Sequence, residues 1–395
     1  MSAWKKCRIG DLCDTISETY KRTDNMVVLI NTSDVLEGEV LNHTPVPNEN
    51  LKGQFKKTFQ RDDILYSEIR PANKRFAFID FEDTSKYIAS TKLMVLRPRK
   101  DAVLPLFLYA ILKSRDVLEE LQHLAETRSG TFPQITFSSE LAPMEIMLPD
   151  FTTQKQIVGI LSAIEDKIRL NTAINENLEQ QAQAYFVDLF ITNANPNWRI
   201  GTISDLGNVV GGGTPSKKVE EYYTSDGIAW ITPKDLSNDK SKFVAQGETD
   251  ITELGLSKSS ATLMPKGTVL FSSRAPIGYI AIADGQVCTN QGFKSIVPLD
   301  NVGTAFVYYF LKENLSAIEN VASGSTFKEV SGSTMKSFTA IIPDNDTLAE
   351  FQRFCSPLFE QQRALEYENR YLASIRDTLL PKLMNGEIDV SAVKI

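Results

Sequence analysis

Clusters of Arg, Lys, Asn and Gln recur in loop-like segments of this 395-residue chain. These side chains can pair with phosphates and base edges: Arg and Lys with guanine, Asn and Gln with adenine. In the second half, the base-reading candidates are Arg274, Asn290, Gln291 and Lys294, and the backbone or rim candidates are Lys217, Lys218, Lys234 and Lys328. In the first half, the candidates are Lys21, Arg22, Arg70, Asn73, Lys74, Arg75, Lys92, Arg128 and Gln134. A single cluster is more typical of a solvated loop, so the inference depends on recurrence at equivalent places in both halves.

The chain is internally duplicated, with 194 residues between matching landmarks. Trp4 and Trp198 each open a half, and Pro149 and Pro343, each followed by Asp, close it. Between these landmarks the halves agree loosely, at 62–71 with 267–276, 106–113 with 305–312, and 129–132 with 323–327. A repeated scaffold with divergent middle segments indicates two similar modules that recognise two different things, rather than one active site.

Each half ends in a long helical stretch that could hold the modules apart. The first, 154–190, would be roughly 55 Å long at about 1.5 Å per residue, with Thr152 or Thr153 as its N-cap. Seam positions at heptad spacing are Leu161, Ile164, Ile168, Asn175 and Leu178, and in the second stretch Leu358, Leu365, Asn369, Leu372 and Leu379. Buried Asn at matching positions can fix register. We predict an antiparallel coiled coil; the alternative is that each helix packs only on its own domain.

The segments between the landmarks predict an α+β fold in both halves. In the first half, a helical stretch at 105–124 interrupts β-rich runs near 27–31, 64–67, 76–80, 92–96 and 144–148. The second half repeats this order, with helix near 305–320 and β-rich runs near 228–232, 268–271, 279–283, 295–298 and 338–342. The predicted parts are a recognition module at 1–150, a helix at 151–195, a second module at 196–343 and a second helix at 344–395.

The net charge of −8 is unusual for a nucleic-acid binder, but it is unevenly distributed. Residues 1–150 carry 20 basic and 22 acidic side chains, and residues 196–343 carry 13 and 14, so the modules are nearly neutral. If the chain binds DNA, we therefore expect a partner to supply much of the phosphate neutralisation. The chain lacks an apolar run of membrane-spanning length and an N-terminal signal core, so we expect a cytoplasmic protein.

Patterns for catalysis or metal binding are largely missing from the sequence. The four cysteines form no CxxC pair and only two histidines are present, so a zinc site is not expected. The chain has no phosphate loop, no GxSxG motif and no Asp/Asn-Pro-Pro-Tyr methyltransferase signature. Asp150, Glu165 and Lys167 do spell a PD-(D/E)xK nuclease pattern, but the last two fall in the middle of a predicted helix. We expect no catalysis; a metal-dependent nuclease and a scaffold that does not bind DNA are the alternatives.

Several strings resemble one family across almost the whole chain. "GGTPS", "WITPKDL", "VLFSSRAPIG" and "NQGF" in the second half look like the target-recognition domain of type I restriction-modification specificity subunits. The "SG-T-F" turn, the "LPD" and "IPD" exits and the helices after them also fit. The first half departs more, with "EIRPANKR" and "STKLMVLRP" in place of the Arg-Ala-Pro-Ile-Gly and Asn-Gln-Gly-Phe strings.

The resemblance implies a DNA reader that holds no cofactor of its own. Each module would read one half of an interrupted double-stranded target through its loops. The helical pair would set the spacing and hold two methyltransferase subunits, which flip out an adenine and use S-adenosylmethionine. Restriction subunits, driven by ATP with Mg²⁺, would join them for cleavage.

Overall fold

The computed structural model describes residues 4–21, 24–49, 51, 53–128, 131–324 and 328–390. The chain divides into two compact units, which we call unit 1 (Met1–Lys167 with Tyr371–Ile395) and unit 2 (Ile168–Arg370). Two long helices, Phe151–Val187 and Asn345–Met384, contribute residues to both units. Both units mix helix and sheet, which confirms the predicted α+β class. In the described ranges, no helix is long and apolar enough to cross a membrane.

Unit 1 contains two four-stranded sheets packed on one another and on helices. The first sheet is antiparallel, in the order Cys13–Ile16, Leu93–Pro98, Ile64–Ser67, Phe76–Phe78. The second has the order Val46–Pro47, Met26–Ile30, Tyr87–Ser90, Phe55–Lys57. Two further strand pairs join Lys5–Arg8 to Glu145–Leu148 and Val35–Leu36 to Glu39–Val40. The shorter helices are Pro105–Leu112 and Arg115–Arg128.

The strand Ile64–Ser67, an inner strand of the first sheet, is buried on both faces. Successive side chains of a strand point in opposite directions, so its residues pack into two different clusters. Ile64 and Tyr66 pack in the cluster that contains Phe107 of the helix Pro105–Leu112. Leu65 packs in the separate cluster that contains Ile30 of the second sheet. The loop that follows this strand is therefore anchored from both sides.

Unit 2 repeats this plan with longer strands. Its main sheet has the order Gly207–Gly211, Lys294–Pro298, Val269–Ser273, Ile277–Ala283, Phe243–Val244. The second sheet has the order Tyr223–Thr224, Thr249–Ile251, Ile228–Ile231, Cys288–Thr289, and Arg199–Thr202 pairs with Thr339–Ile342. The shorter helices are Pro233–Asn238, Glu253–Ser257, Thr304–Glu313, Leu315–Asn320 and Gly332–Ser337.

Within unit 2, the two long helices run antiparallel and share a polar layer. The Asn171 side-chain amide donates to Asn369 Oδ1 at 2.9 Å, and the Asn175 amide donates to the Gln362 carbonyl at 3.4 Å. Toward the other end, the Tyr185 ring lies 4.4 Å from that of Phe354. Of the predicted seam, Leu178 is buried, and Ile168, Asn175, Leu358, Leu365 and Asn369 are half-buried. The predicted antiparallel pairing is confirmed.

Within unit 1, the remaining turns of these helices pack against the module's own core. Leu161 is buried in the same cluster as Ile9, Leu380 and Leu383, with Leu379 at its edge. Ile164 and Leu372 are half-buried. In unit 1 the helix residues therefore pack both on the other long helix and on the module's own core. The predicted helix pairing and the alternative, packing of each helix on its own domain, both occur here.

Two details of the helices differ from the sequence prediction. The first long helix begins at Phe151, and its cap is Asp150, whose carboxylate accepts the Thr153 N–H at 2.8 Å. Asp150 therefore replaces the predicted Thr caps. The helical stretches predicted at 105–124 and 305–320 are each broken into two helices, at Lys113–Ser114 and at Asn314, without a Gly or Pro to mark the break.

Candidate nucleic-acid interface

In unit 2, a glycine loop packs closely against the "NQG" turn. The Gly213 N–H donates to the Thr289 carbonyl at 2.9 Å, and the Trp230 indole N–H donates to the Gly213 carbonyl at 3.0 Å. A Cβ built on Gly212 would lie only 1.9 Å from the Asn290 carbonyl oxygen. No larger residue fits at Gly212 without moving backbone. Glycine therefore allows the glycine loop and the "NQG" turn to pack in direct contact.

The "WITPKDL" segment supplies a capped helix at the rim of the same region. Thr232 and Asp235 form a capping box: the Asp235 carboxylate accepts the Thr232 N–H at 2.7 Å and its hydroxyl at 2.6 Å. The other Asp235 oxygen accepts the Glu248 N–H at 2.9 Å. These bonds fix the position of Lys234, whose ammonium pairs with the Glu248 carboxylate at 2.6 Å.

Arg274 follows the strand Val269–Ser273 at a tight turn. Its guanidinium lies 3.3 Å from the Glu329 carboxylate, and Lys294 Nζ lies 3.3 Å from the other oxygen of the same group. The Arg274 side chain is 36% exposed, whereas that of Lys294 is 15% exposed. Lys294 is therefore more buried than Arg274, and one carboxylate pairs with both cations.

Asn290 and Gln291 present their amides beside this turn. The Asn290 side-chain oxygen accepts the Gly292 N–H at 2.8 Å, which leaves its NH₂ group with no protein partner among the described residues. Gln291 is exposed, and its amide oxygen accepts the hydroxyl of Thr214. The Asn290 NH₂ group can therefore donate to a ligand, and its oxygen, which accepts one hydrogen bond within the protein, has a second lone pair.

These loops surround a cleft of about 540 Å³. Five of the eight candidates predicted in this half line it: Lys217, Lys234, Arg274, Asn290 and Gln291. Lys294 lies next to the cleft through its contact with Glu329, whereas Lys218 and Lys328 are exposed and do not line it. Glu329 was not predicted from the sequence, because nothing local marks a carboxylate that pairs with cations 55 and 35 residues away.

In unit 1, three of the predicted residues converge at the corresponding strand end. Ile69 and Gln134 form a β-bridge, and the Arg70 N–H donates to the Pro133 carbonyl at 3.1 Å. Lys92 Nζ donates to the Gln134 side-chain oxygen at 3.2 Å. The Arg70 side chain is exposed and has no protein partner among the described residues. Its guanidinium is thus available to a ligand.

The other candidates of unit 1 make structural contacts or lie apart. Lys74 pairs with Glu37 at 2.9 Å, and the Arg75 guanidinium donates to the Ser33 carbonyl at 3.0 Å. Arg128 pairs with Glu140 at 3.1 Å. Lys21 and Asn73 are exposed, and Arg22 lies outside the described residues.

Lys57, which the sequence did not single out, lies close to Lys92 of the strand-end group formed by Arg70, Lys92 and Gln134. Lys57 Nζ donates to the Leu93 carbonyl at 2.7 Å, and burial lowers the pKa of its ammonium, with Glu68 opposing the shift and Lys92 adding to it. No local pattern distinguishes Lys57 from the neighbouring Lys56 in the sequence.

The nuclease pattern noted in the sequence is not assembled into a site. Asp150 caps the long helix, and Glu165 pairs with Lys113. Fifteen residues separate Asp150 from Glu165, roughly 22 Å along a helix, which is too far for one ion to be shared. Across the described part of the chain, no group of His, Cys, Asp or Glu side chains is arranged to hold a metal ion.

The chain belongs to the type I restriction-modification DNA specificity family. The family model described as the type I restriction modification DNA specificity domain matches residues 1–180 and again 195–366. The specificity subunit of the type I restriction enzyme HindI from Haemophilus influenzae is 32% identical, and the alignment covers 98% of this chain and all of that protein. The MjaIX specificity subunit from Methanocaldococcus jannaschii is 38% identical over 50% of this chain and 45% of its own length.

The fold is also that of a solved relative. The type I restriction-modification S subunit from M. genitalium superposes with a TM-score of 0.54 at 15% identity, covering 97% of this chain and 96% of that one. At this identity the likeness concerns the fold alone. It agrees with the duplicated plan of two α+β modules and two long helices.

Proposed function

We propose that this chain reads an interrupted two-part DNA target, with one half-site for each recognition module. Membership in the specificity family makes the chain a DNA-recognition subunit of a type I restriction-modification system and not an enzyme in its own right. The observation that best supports this reading is the convergence of Lys217, Lys234, Arg274, Asn290 and Gln291 around one cleft. Arg can supply paired donors to guanine, an Asn amide can pair with adenine through one donor and one acceptor, and lysines can contact phosphates at the rim.

The proposed target contact needs help from other subunits. Lys234 is paired with Glu248, and both Arg274 and Lys294 are paired with Glu329. Cations that are already neutralised within the protein release fewer counterions from DNA and contribute less to affinity. Bound methyltransferase subunits would supply the remaining contacts with the DNA phosphates.

The proposed complex contains two methyltransferase subunits docked on the helical pair and, for cleavage, restriction subunits. S-adenosylmethionine would bind to the former, and ATP with Mg²⁺ to the latter. The proposed parts of this chain are the modules 1–150 and 196–343 and the helices 151–195 and 344–395. Because the target is DNA, the complex would act in the cytoplasm.

The first test is to co-express the chain with the methyltransferase subunit from its own locus in a methylation-free host. N6-methyladenine would then be mapped across that genome by single-molecule sequencing. We expect a motif of two short half-sites with a fixed gap. If the complex is assembled and the methyltransferase is active on other DNA, yet no motif appears, the chain is a scaffold that does not read DNA.

Replacing one arginine in each unit assigns the half-sites. We expect Arg274→Ala to flatten the base preference at one or two positions of one half-site and to lower methylation of the full target by about 10- to 100-fold, the loss expected for one bidentate base contact of roughly 1–3 kcal/mol. Arg70→Ala should do the same in the other half-site. A methylation assay on targets randomised one base at a time measures both effects.

Each variant serves as the control for the other, because both remove one arginine from the same kind of turn. If both variants weaken the same half-site, the assignment of one half-site to each module is wrong. If neither changes any base preference, these arginines do not read DNA.

A further inference from the structure

Lys242 is the most deeply buried lysine in the described part of unit 2, with a side chain only 6% exposed. Its ammonium lies 2.7 Å from the Glu179 carboxylate and donates to the Gln362 side-chain oxygen at 3.0 Å. It also lies 3.7 Å from the centre of the Phe359 ring. Glu179 lies on the first long helix, and Gln362 and Phe359 lie on the second. One side chain of the recognition module therefore bonds to both helices.

The charges of this cluster are compatible with burial because they are paired. Burial opposes ionisation of Glu179, but Lys242 and Lys312 outweigh it and hold the pKa of its carboxyl at about 2. Burial lowers the pKa of Lys242 to about 8, and Glu179 opposes the shift. At neutral pH both groups are therefore charged, and Lys312, 2.5 Å from Glu179, completes the triad.

The backbone at Lys242 is held by the same helices. The Glu366 carboxylate accepts the N–H groups of Lys242 and Phe243, at 2.9 and 3.1 Å. Phe243 begins a short edge strand that pairs with Ile282 of the main sheet. We call Lys242, Glu179, Gln362 and Glu366 the seat of unit 2, because they join the edge of its sheet to both helices.

The seat is connected to the cleft through two paired strands. The strand Ile277–Ala283 pairs with the seat at one end, and at its other end it follows directly from the turn that carries Arg274. It pairs along its length with the strand Val269–Ser273, which leads into the same turn. A shift of the seat would therefore be transmitted to Arg274 through the sheet.

We propose that Lys242 is a positioning residue that restricts this protein to one gap length between the two half-sites. The proposal rests on the proposed two-part target. Successive base pairs differ by about 3.4 Å along the DNA axis and about 34° in rotation, so a reader that accepts a single gap must hold its module more tightly than that step. A buried polar network makes all its bonds in one geometry only, whereas apolar contacts tolerate sliding.

The test variant is Lys242→Met, with Lys240→Met as the matched control. Met is close to Lys in length and apolar, so it keeps the packing on Phe359, and Glu179 keeps its pairing with Lys312 and the Tyr309 hydroxyl. Lys240 lies two residues away, is exposed, and has no side-chain partner among the described residues. Both variants therefore make the same chemical change, but only Lys242→Met removes the ammonium that bonds to Glu179 and Gln362.

The assay measures methylation of targets that contain the same half-sites separated by the parent gap or by a gap one base pair longer or shorter. For Lys242→Met we expect methylation at the altered gaps, relative to the parent gap, to rise at least about tenfold, equivalent to roughly 1.4 kcal/mol. Lys240→Met should keep the parent ratio. If Lys242→Met loses activity equally at all gaps, or keeps the parent ratio, the proposal is overturned.

A second variant covers the case in which Lys242→Met does not assemble. Glu366→Gln leaves the Lys242 ammonium and its partners intact but weakens the bonds to the backbone N–H groups. We again expect methylation at the altered gaps to rise relative to the parent gap. An unchanged ratio, or an equal loss at all gaps, overturns the proposal. Failure of the proposed function would look different, because the unmodified complex would then methylate no two-part target at any gap.

Discussion

The two units build the same turn at the end of the same strand but place the arginine at different positions on it. Arg70 in unit 1 and Ala275 in unit 2 both have a positive φ, at 45° and 51°, which is uncommon for residues other than glycine. This shared feature aligns Arg70 with Ala275 and Ile69 with Arg274. The turn keeps its backbone conformation in both units, but the arginine stands one residue later in unit 1 than in unit 2. In the proposed DNA contact, the two modules would therefore present arginine in different geometries.

A second difference lies across from that turn. The Glu68 N–H donates to the Lys92 carbonyl at 3.0 Å in unit 1, and the Ser273 N–H donates to the Gly292 carbonyl at 2.7 Å in unit 2. The matching bonds align Lys92 with Gly292. Unit 1 therefore extends a cation where unit 2 leaves space for the cleft. At this position the two units keep the backbone hydrogen bond but differ in side chain.

The largest contrast is at the edge of the main sheet, where unit 1 has no counterpart of Lys242. The Phe78 N–H donates to the Gly38 carbonyl at 3.2 Å, and the Ile282 N–H donates to the Lys242 carbonyl at 2.7 Å. Gly38 has a φ of +119°, and a Cβ there would lie 2.5 Å from the Tyr109 hydroxyl. In unit 1 the Tyr109 hydroxyl therefore leaves no room for a side chain at this position. Only unit 2 has a buried charge at this position.

The largest predicted effect compares Leu178 with Leu372, which are 194 residues apart and equivalent in the repeat. Leu178 is 8% exposed, and Leu372 is only half-buried. Leu178→Asp places a carboxylate at a buried position and should lower the free energy of unfolding by about 3–5 kcal/mol, against about 1–2 kcal/mol for Leu372→Asp. Denaturant titration of the purified chain measures both.

Leu170→Asp is the control on the same helix, because Leu170 is 57% exposed. It should change the free energy of unfolding by no more than about 0.5 kcal/mol. Equal losses for Leu178→Asp and Leu170→Asp would mean that the helices do not pair in solution as described.

The next effect concerns Glu179 in the seat of unit 2. The pKa of its carboxyl in the folded protein, about 2, lies below the ordinary value of 4.5. Its ionised form therefore stabilises unit 2 fully above pH 4.5, and this contribution is lost as pH falls toward 2. Because one pKa unit corresponds to about 1.36 kcal/mol, Glu179→Gln should cost roughly 3 kcal/mol at pH 7, and the difference from the parent should shrink through that window. Unfolding free energies measured from pH 7 to 2.5 test this.

Glu165→Gln in unit 1 provides the matched comparison. Glu165 pairs with a single lysine, Lys113, and is more exposed than Glu179, so its loss should cost no more than about 1 kcal/mol. A loss for Glu179→Gln that stays constant from pH 7 to 2.5 would contradict the assigned ion pairing.

The sequence predicted what depends on local spacing. The heptad pattern predicted the buried positions Leu161 and Leu178 because helix periodicity acts over a few residues. Asn175 and Asn369, predicted as matching buried positions, are half-buried, and Asn369 bonds to the buried Asn171 instead. The Asp150 cap was missed because Thr152 and Thr153 are equally good caps in isolation. The alignment of the two strand-end turns followed from the repeat itself, which places similar strings at similar distances from the same landmarks.

What the sequence could not predict depends on contacts between distant residues. Lys242 lies in a polar segment that reads as loop, and its partners Glu179, Tyr309 and Gln362 are 63, 67 and 120 residues away. Burial of this lysine is decided by the packing of three elements, so no window of the sequence contains the signal. The same holds for Glu329, whose partners come from two different strand ends.

The smallest predicted effect concerns the carboxylates that neutralise the reading cations. Glu329→Gln keeps the side-chain size but releases Arg274 and Lys294 from their shared counter-charge. We expect DNA affinity of the assembled complex to rise by about 3- to 10-fold at low salt, and the dependence of log affinity on log salt to steepen by about one unit. Titration of the target DNA at several salt concentrations measures both.

Glu68→Gln is the counterpart in unit 1 and should have a weaker effect, since Glu68 contacts one cation, Lys92, at 3.5 Å. Glu319→Gln controls for the change in net charge alone, because Glu319 is exposed and has no side-chain partner among the described residues. If Glu329→Gln and Glu319→Gln raise the affinity equally, the gain is a long-range charge effect and Glu329 does not compete with DNA for Arg274. A gain confined to Glu329→Gln, and smaller for Glu68→Gln, would place the stronger internal competition in unit 2.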